Sequence, residues 1–423
     1  MKKIIGFVLF SILLSWFYGL SIAATGIMAI IWIVFALLFE RFRRNGDQEK
    51  RRFSELSMYM EQLLYTFQRK HKILASLKDI SAFFPEGNLH EIILQMLEQM
   101  EQGEGGNESY RLANELIEQA YPCKRLSRMN RFMEHVESYG GEMELGIKGL
   151  QTDLDLFIKR TEVLQGEKRA IKVRIGIAIV ISLLICGVGV HFLPQEFGIG
   201  SLMISQVASL ILVMVNLSIY LLVVKKLLTS WLIREDDRTK SFLLRDYQKV
   251  NAAVPGKETI GYKIAYIRSR KAIIQEFPSW VLEVSLYLDR GNAQMALKKS
   301  TEQAHPILKE AVTNLLERLS VEPGKVQPFL DFLKPYQLLF VQSVMKTLYG
   351  ISEVGSVNGT AQIALLLERN QQLADQSEVE YNKNAVAGIG LFSFFPMLMG
   401  SMKLMLDMVI FIFAFLKNMN WRV

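Results

Sequence analysis

Two short motifs carry residue types that catalysis or metal binding uses, and each lacks a part that the chemistry requires. His90 to Leu94 (HEIIL) begins like a zinc-protease helix, but Leu94 stands where the second histidine ligand would be. Pro255 to Thr259 (PGKET) has the Gly-Lys pair of a phosphate-binding loop, but it lacks the first glycine, and Glu258 replaces the Ser or Thr. The five histidines share no ligand spacing. The sequence therefore predicts no catalytic residue, no metal site, no cofactor and no enzymatic activity.

One pair of charges interrupts an apolar stretch near the C-terminus. Lys403 and Asp407 lie four residues apart, so they would pair on one face of a helix. Charges inside a membrane span are candidates for function. A turn between Gly400 and Lys403 would instead place both charges at the membrane interface, and we favour this second interpretation. The sequence leaves open whether this block crosses the membrane once or twice.

The sequence contains three long apolar blocks, residues 1–39, 175–224 and 385–416, and the last of them holds Lys403 and Asp407. Their charged residues are Lys2, Lys3, Glu196 and the Lys403–Asp407 pair. One membrane helix needs about 20 apolar residues, so the first two blocks suit helical hairpins that turn near Ser21 to Gly26 and near Pro194 to Gly200. The sequence predicts a polytopic membrane protein.

The net charge of +7 is concentrated beside these blocks. The turns inside the hairpins carry no Lys or Arg, whereas the flanks carry Lys2, Lys3, Arg41, Arg43, Arg44, Lys168, Arg169, Lys172, Arg174, Lys225 and Lys226. By the positive-inside rule, both soluble segments are cytoplasmic in a multi-pass plasma (inner) membrane protein. This distribution favours a lipid membrane over nucleic acid as a partner. The N-terminus also resembles a secretory signal, but its apolar run resumes at once, which favours a retained hairpin.

Between the blocks lie two soluble segments in which apolar residues recur at helical spacing, as in Leu89, Ile92, Ile93, Leu97 and Met100. The fold class is therefore an all-α polytopic membrane protein with two cytoplasmic helical bundles between transmembrane segments. The predicted domains are a transmembrane hairpin (1–40), a first bundle (41–174), a second hairpin (175–224), a linker and second bundle (225–384), and a C-terminal transmembrane segment or pair of segments (385–423).

The two soluble segments show a weak internal repeat. At an offset of 221 residues, Arg69 aligns with Arg290, Ala75 with Ala296, Lys78 with Lys299 and Pro85 with Pro306. Small changes of offset then align Leu89 with Leu308 and Gly141 with Gly355. An alignment offset that changes in small steps along the chain is typical of duplication followed by insertions in loops. It predicts that the chain carries one module twice.

Two further features have open interpretations. Gly140, Gly141, Gly355 and Gly359 suit loops between helices, which is the favoured interpretation; the alternative is a close helix crossing or the docking surface of a partner. Gly261 to Gln275 (GYKIAYIRSRKAIIQ) is a basic amphipathic stretch, and a solvated helix face and a helix resting on the inner membrane surface fit it equally well.

The layout resembles the type II secretion F-domain family, the inner-membrane platform proteins of type II secretion, type IV pilus and Tad pilus machines. The opening signature of that family is similar to LDRGNAQMAL, and its later signature, Gly-Glu-x-x-Gly, is similar to GSVNGTAQIALLLE, with Ser356 in place of the Glu. In the first segment GGEMELG supplies Gly141 and Glu142, but Leu145 replaces the second glycine. The leading hairpins look most like the Tad-type branch. The residues that the resemblance marks as candidates for partner docking are Arg290, Gly291, Ala296, Leu297, Gly355, Gly359, Gly141 and Glu142.

The resemblance implies a mechanical role and a set of partners. Those partners are a hexameric secretion ATPase, pilin or pseudopilin subunits, and a sister platform protein or a second copy of the chain. Two other functions remain alternatives: a membrane-anchored scaffold or signalling protein with two docking bundles, and a transporter or lipid-handling membrane enzyme. The transporter is disfavoured because the predicted spans hold few polar residues.

Overall fold

A computed structural model describes residues 2–102, 107–140, 143–228, 237–253, 259–288, 293–302, 304–354 and 359–420. Within these ranges all regular elements are helices, which confirms the predicted all-α class. The chain divides into two compact units. We call residues 1–51, 161–231 and 382–423 the apolar unit, and residues 52–160 and 232–381 the polar unit.

The apolar unit contains the most apolar helices and parts of helices in the described residues. They are α1 (Lys2–Phe17), the first part of α2 (Ile22–Lys70), the last part of α7 (Met143–Phe192), α8 (Met203–Leu227), the end of α15 (Gly359–Gly390) and α16 (Phe394–Asn420). Four of the helical stretches in the described residues qualify as candidate spans, and α1 is a shorter apolar helix. A turn at residues 18–21 separates α1 from α2, just before the predicted position, because Ile22 to Gly26 are already helical, and a second turn at 193–202 separates α7 from α8 where it was expected.

The surface of the apolar unit suits lipid. Side chains such as Trp16, Ile22 and Met203 are more than three-quarters exposed, and a surface of this kind would aggregate in water. Inside the unit, Tyr18, Met28, Trp32, Ile175 and Cys186 belong to one buried cluster. The unit therefore has both an apolar exterior and a packed interior.

The turn that we favoured between Gly400 and Lys403 is wrong. Helix α16 runs without a break from Phe394 to Asn420, and the described break in this block lies earlier, at the 3-10 turn Leu391–Ser393. A helix can continue through Lys403 and Asp407 because the two side chains neutralise each other one turn apart.

The polar unit joins both soluble segments. The first contributes the end of α2, then α3 (Ile73–Ser81), α4 (Asn88–Gln102), α5 (Asn107–Ala120), α6 (Lys124–Tyr139) and the start of α7. The second contributes α9 (Asp237–Asn251), α10 (Ile260–Leu286), α11 (Ala293–Ser300), α12 (Pro306–Val321), α13 (Gln327–Leu330), α14 (Leu339–Val354) and the start of α15. Both are amphipathic bundles with buried apolar faces, such as Tyr59, Leu63 and Phe67 in the first and Phe277, Trp280 and Val281 in the second.

Three helices belong to both units. Residues 22–51 of α2 lie in the apolar unit and residues 52–70 in the polar unit, and α7 and α15 divide at residues 160 and 381 in the same way. Each of these helices is uninterrupted across its division.

Candidate functional site

The residues predicted to dock partners are described only in part. Arg290, Gly291, Gly355, Gly141 and Glu142 lie outside the residues that the structure describes. Ala296 and Leu297 lie on α11 with no exposed side-chain surface, so they stabilise the bundle core and offer no surface to a partner in this structure. Gly359 is the first residue of α15.

Helix α6 carries a row of cations that sequence reasoning missed. Its residues Lys124, Arg128 and Arg131 follow the spacing i, i+4, i+7, which places them on one face of a helix. Helix α10 carries Glu276, Ser279 and Glu283 at i, i+3, i+7. Because the two patterns are complementary, the two soluble segments can pair along these faces.

The two rows meet in the polar unit. We call them, together with Arg125 and Asp153, the ionic seam. Lys124 Nζ lies 3.1 Å from Glu276 Oε2, and Arg131 Nη2 lies 2.7 Å from Glu283 Oε1. Between these pairs, Arg128 donates a hydrogen bond to Ser279 Oγ. The seam thus joins a helix of the first soluble segment to a helix of the second.

A second set of contacts anchors the seam to α7. Arg125 donates two hydrogen bonds to Asp153, from Nε to Oδ2 at 2.9 Å and from Nη2 to Oδ1 at 3.4 Å. Its guanidinium also lies 4.2 Å from the ring centroid of Phe157. Arg128 Nη1 lies 3.6 Å from Asp153 Oδ2. Paired donors of this planar kind set the position of a carboxylate more firmly than a single contact does.

The pKa of Asp153 reflects the positive charges that surround it in the ionic seam. Burial acts to raise the pKa of its carboxyl, but the nearby guanidiniums of Arg125 and Arg128, and the hydrogen bonds from Arg125, outweigh that effect and hold the pKa below its ordinary value. Asp153 is therefore an anion at neutral pH, and it balances part of the positive charge of α6.

Close packing brings α7 against the seam. A side chain at Gly146 would overlap the ring of Phe132 on α6, which is 2% exposed. One turn further along, a Cβ at Gly149 would lie 3.5 Å from Leu282 of α10. Gly146 therefore lets α7 approach α6 closely, whereas a side chain at Gly149 would make only an ordinary van der Waals contact with α10.

A second polar cluster lies inside the apolar unit. Lys403 and Asp407 form an ion pair, with side chains 2% and 1% exposed. Ser205 of α8 donates a hydrogen bond of 2.8 Å to Asp407 Oδ1, and Lys403 Nζ donates to Ser205 Oγ at 3.4 Å. Both charges are therefore enclosed by neighbouring helices, and the turn on which their interfacial placement rested is not formed.

The same cluster draws further helices together. Lys403 Nζ lies 5.7 Å from the ring centroid of Tyr18, whose hydroxyl donates to the carbonyl oxygen of Leu183 on α7 at 2.7 Å. Two small residues of α7 contact the backbone of α16: Ser182 donates to Pro396 O at 2.6 Å and Cys186 to Gly400 O at 3.3 Å. Small and polar side chains are the usual contacts between helices in a membrane. The cluster links Tyr18 with α7, α8 and α16.

Both polar clusters consist of charged side chains that are paired with each other. Among the described residues, no group of three or more His, Cys, Asp or Glu side chains is placed to hold a metal ion. Both clusters pair opposite charges at close range, and such pairs bind helices together in a defined register.

The sequence and the fold match no protein-family model, no curated protein and no solved structure.

Proposed function

We propose that the chain is an inner-membrane platform protein of a pilus or type II-like secretion machine, and that it couples a cytoplasmic secretion ATPase to the assembly of pilin subunits. The observation that carries this proposal is that α2, α7 and α15 each belong to both units without a break. An uninterrupted helix is stiff over its length, so a displacement imposed on its polar part reaches its apolar part.

The order of helices supports the internal repeat that belongs to this proposal. In the first soluble segment, α2 is followed by a helix of 9 residues, one of 15 residues and, later, α7, which continues into the apolar unit. In the second, α10 is followed by helices of 8 and 16 residues and, later, by α15, which also continues into the apolar unit. The aligned pairs Ala75 and Ala296, and Lys78 and Lys299, lie on the two short helices.

In this proposal the polar unit is cytoplasmic and receives the ATPase, while the apolar unit spans the plasma membrane beside pilin or pseudopilin subunits. A sister platform protein or a second copy of the chain completes the assembly. The basic flanks of the apolar helices support this orientation.

The test is to break the continuity of α7 between the units. Inserting a short Gly-Ser segment after Arg160 should abolish filament output, because a flexible joint transmits no displacement. A helix-forming insertion of equal length at the same site is the matched control and should retain part of that output. Membrane insertion of both variants is measured alongside, so that a failure to fold is recognised.

The same experiment separates the platform from a scaffold. A photoreactive residue at the exposed position Gln294 should capture a secretion ATPase in cells, from both insertion variants. A scaffold only docks its partner, so full filament output with the flexible insertion would contradict the proposed coupling.

A further inference from the structure

The first half of α10 presents an apolar face that no helix in the described part of the chain covers. Ile260, Ile264 and Ile267 follow the spacing i, i+4, i+7 and are 81%, 44% and 65% exposed. Ala265, Ser269 and Ala272, on the opposite side of the helix, are buried. The exposed isoleucines therefore form a continuous stripe along one side of the helix.

Basic side chains border this stripe. Lys263 and Arg270 lie on one side of it, Arg268 on the other, and Lys271 on the stripe itself; all four are exposed. From Thr259 to Gln275 the sequence contains no acidic residue. The face thus combines exposed branched apolar side chains with four basic ones, whereas the exposed surface of α12 mixes Glu317 with Arg318.

The preceding helix α9 extends the same surface. Phe242 is 46% exposed, and the guanidinium of Arg268 lies 5.2 Å from its ring centroid. Arg245 and Lys249 of α9 are also exposed, whereas Asp246 of the same helix is buried. In sequence, α9 begins ten positions after the last residue of α8.

We propose that this surface, formed by Phe242, Ile260, Lys263, Ile264, Ile267, Arg268, Arg270 and Lys271, binds the anionic headgroup region of the lipid bilayer. Isoleucine and phenylalanine side chains enter the boundary between headgroups and acyl chains, and Lys and Arg stay at the level of the lipid phosphates. Positive charge without intervening acid is the pattern that anionic lipid attracts. This contact is independent of the proposed secretion partners.

The test uses the full chain reconstituted in vesicles without other proteins. An environment-sensitive fluorophore is attached to Ile267→Cys; the natural cysteines Cys123 and Cys186 are buried, and the unsubstituted protein serves as the labelling blank. In vesicles that contain phosphatidylglycerol, the emission should shift to shorter wavelength and a lipid-borne quencher should remove most of it. In pure phosphatidylcholine vesicles, both effects should decrease several-fold.

Two comparisons make the test specific. A label at Val321, which is 79% exposed on α12, should stay in water in both kinds of vesicle. The reversal R270E/K271E should remove the response of the label at position 267, and R270K/K271R should preserve it. A label at 267 that stays in water in both lipids would overturn the proposal. So would a label that is shielded only after a protein partner is added, because the surface would then belong to that partner.

Discussion

Glu283 lies between two arginines in the ionic seam, and its side chain is 6% exposed. Replacing it with glutamine keeps the shape of the side chain but removes the charge that Arg128 and Arg131 share. Leaving buried cations without a counter-ion destabilises a fold by about 3 kcal/mol. We expect E283Q to lower the free energy of unfolding of the polar unit by that order, measured by chemical denaturation in detergent. Glu317→Gln, on an exposed face of α12, is the control and should change it little. Equal stability of the two variants would contradict the pairing.

The seam should also weaken in acid, because of Asp153. Its pKa is lower in the folded chain than in the unfolded chain, so its ion pairs stabilise the fold fully above about pH 4, the unfolded value. This stabilisation is lost as the pH falls through the folded pKa. We expect D153N to lower the thermal midpoint at neutral pH and to flatten its dependence on pH in acid. Asp155→Asn, an exposed neighbour on α7, should leave the pH profile unchanged; a D153N profile that follows the wild type would contradict this assignment.

At the scale of elements, α7 offers a matched pair of glycines. Gly146→Ala introduces a methyl group against the buried ring of Phe132 and should destabilise the protein by about 1 to 3 kcal/mol. At Gly166 of the same helix, a Cβ would meet no atom within 4 Å, so G166A should stabilise the protein by about 0.5 to 1 kcal/mol through helix propensity. Thermal unfolding of both variants measures the contrast. If G146A is as stable as the wild type, α7 does not approach α6 as closely as described.

Helices α8 and α16 contact each other through Lys403, Asp407 and Ser205. Substitutions of the two charged residues test whether the pair only stabilises the fold or also takes part in function. D407N alone should destabilise the apolar unit, because it leaves Lys403 buried without a counter-ion. The double variant K403M/D407L removes both charges and should recover the thermal midpoint and the filament output. A double variant that folds but gives no filaments would show that the two charges act in filament assembly and do more than hold the helices together.

Several elements could be predicted from the sequence because their signals are local. Apolar length predicted the long apolar helices, and helical periodicity predicted the all-α class. The wrong turn near Gly400 came from treating Lys403 and Asp407 as charges that need water, because their partner Ser205 lies 198 positions from Lys403 in sequence. The matching rows of charge on α6 and α10 are also visible in the sequence. They predict the ionic seam only if α6 and α10 are already known to be neighbours, and the sequence does not show that.

At the scale of the whole molecule, the two soluble segments are parts of one unit, and this predicts that a split chain will reassemble. Residues 1–231 and 232–423, expressed as separate chains in the same cell, should copurify, because the seam joins α6 to α10. The charge reversal R131E in the first part should weaken this association, and R131K should retain it. Copurification that is unaffected by R131E would mean that other contacts hold the two parts together.

The long separation of the seam's partners also sets an order of synthesis. Arg131 is translated 152 residues before Glu283, so at 5–20 residues per second about 8 to 30 s pass before its counter-ion exists. During that interval the α7–α8 hairpin emerges, and α6 has to wait with its cations facing water. Ribosomes stalled near residue 250 should therefore display a first segment that a protease specific for arginine cuts in α6, whereas the finished chain resists. Maturation of the polar unit is tied to the last third of translation.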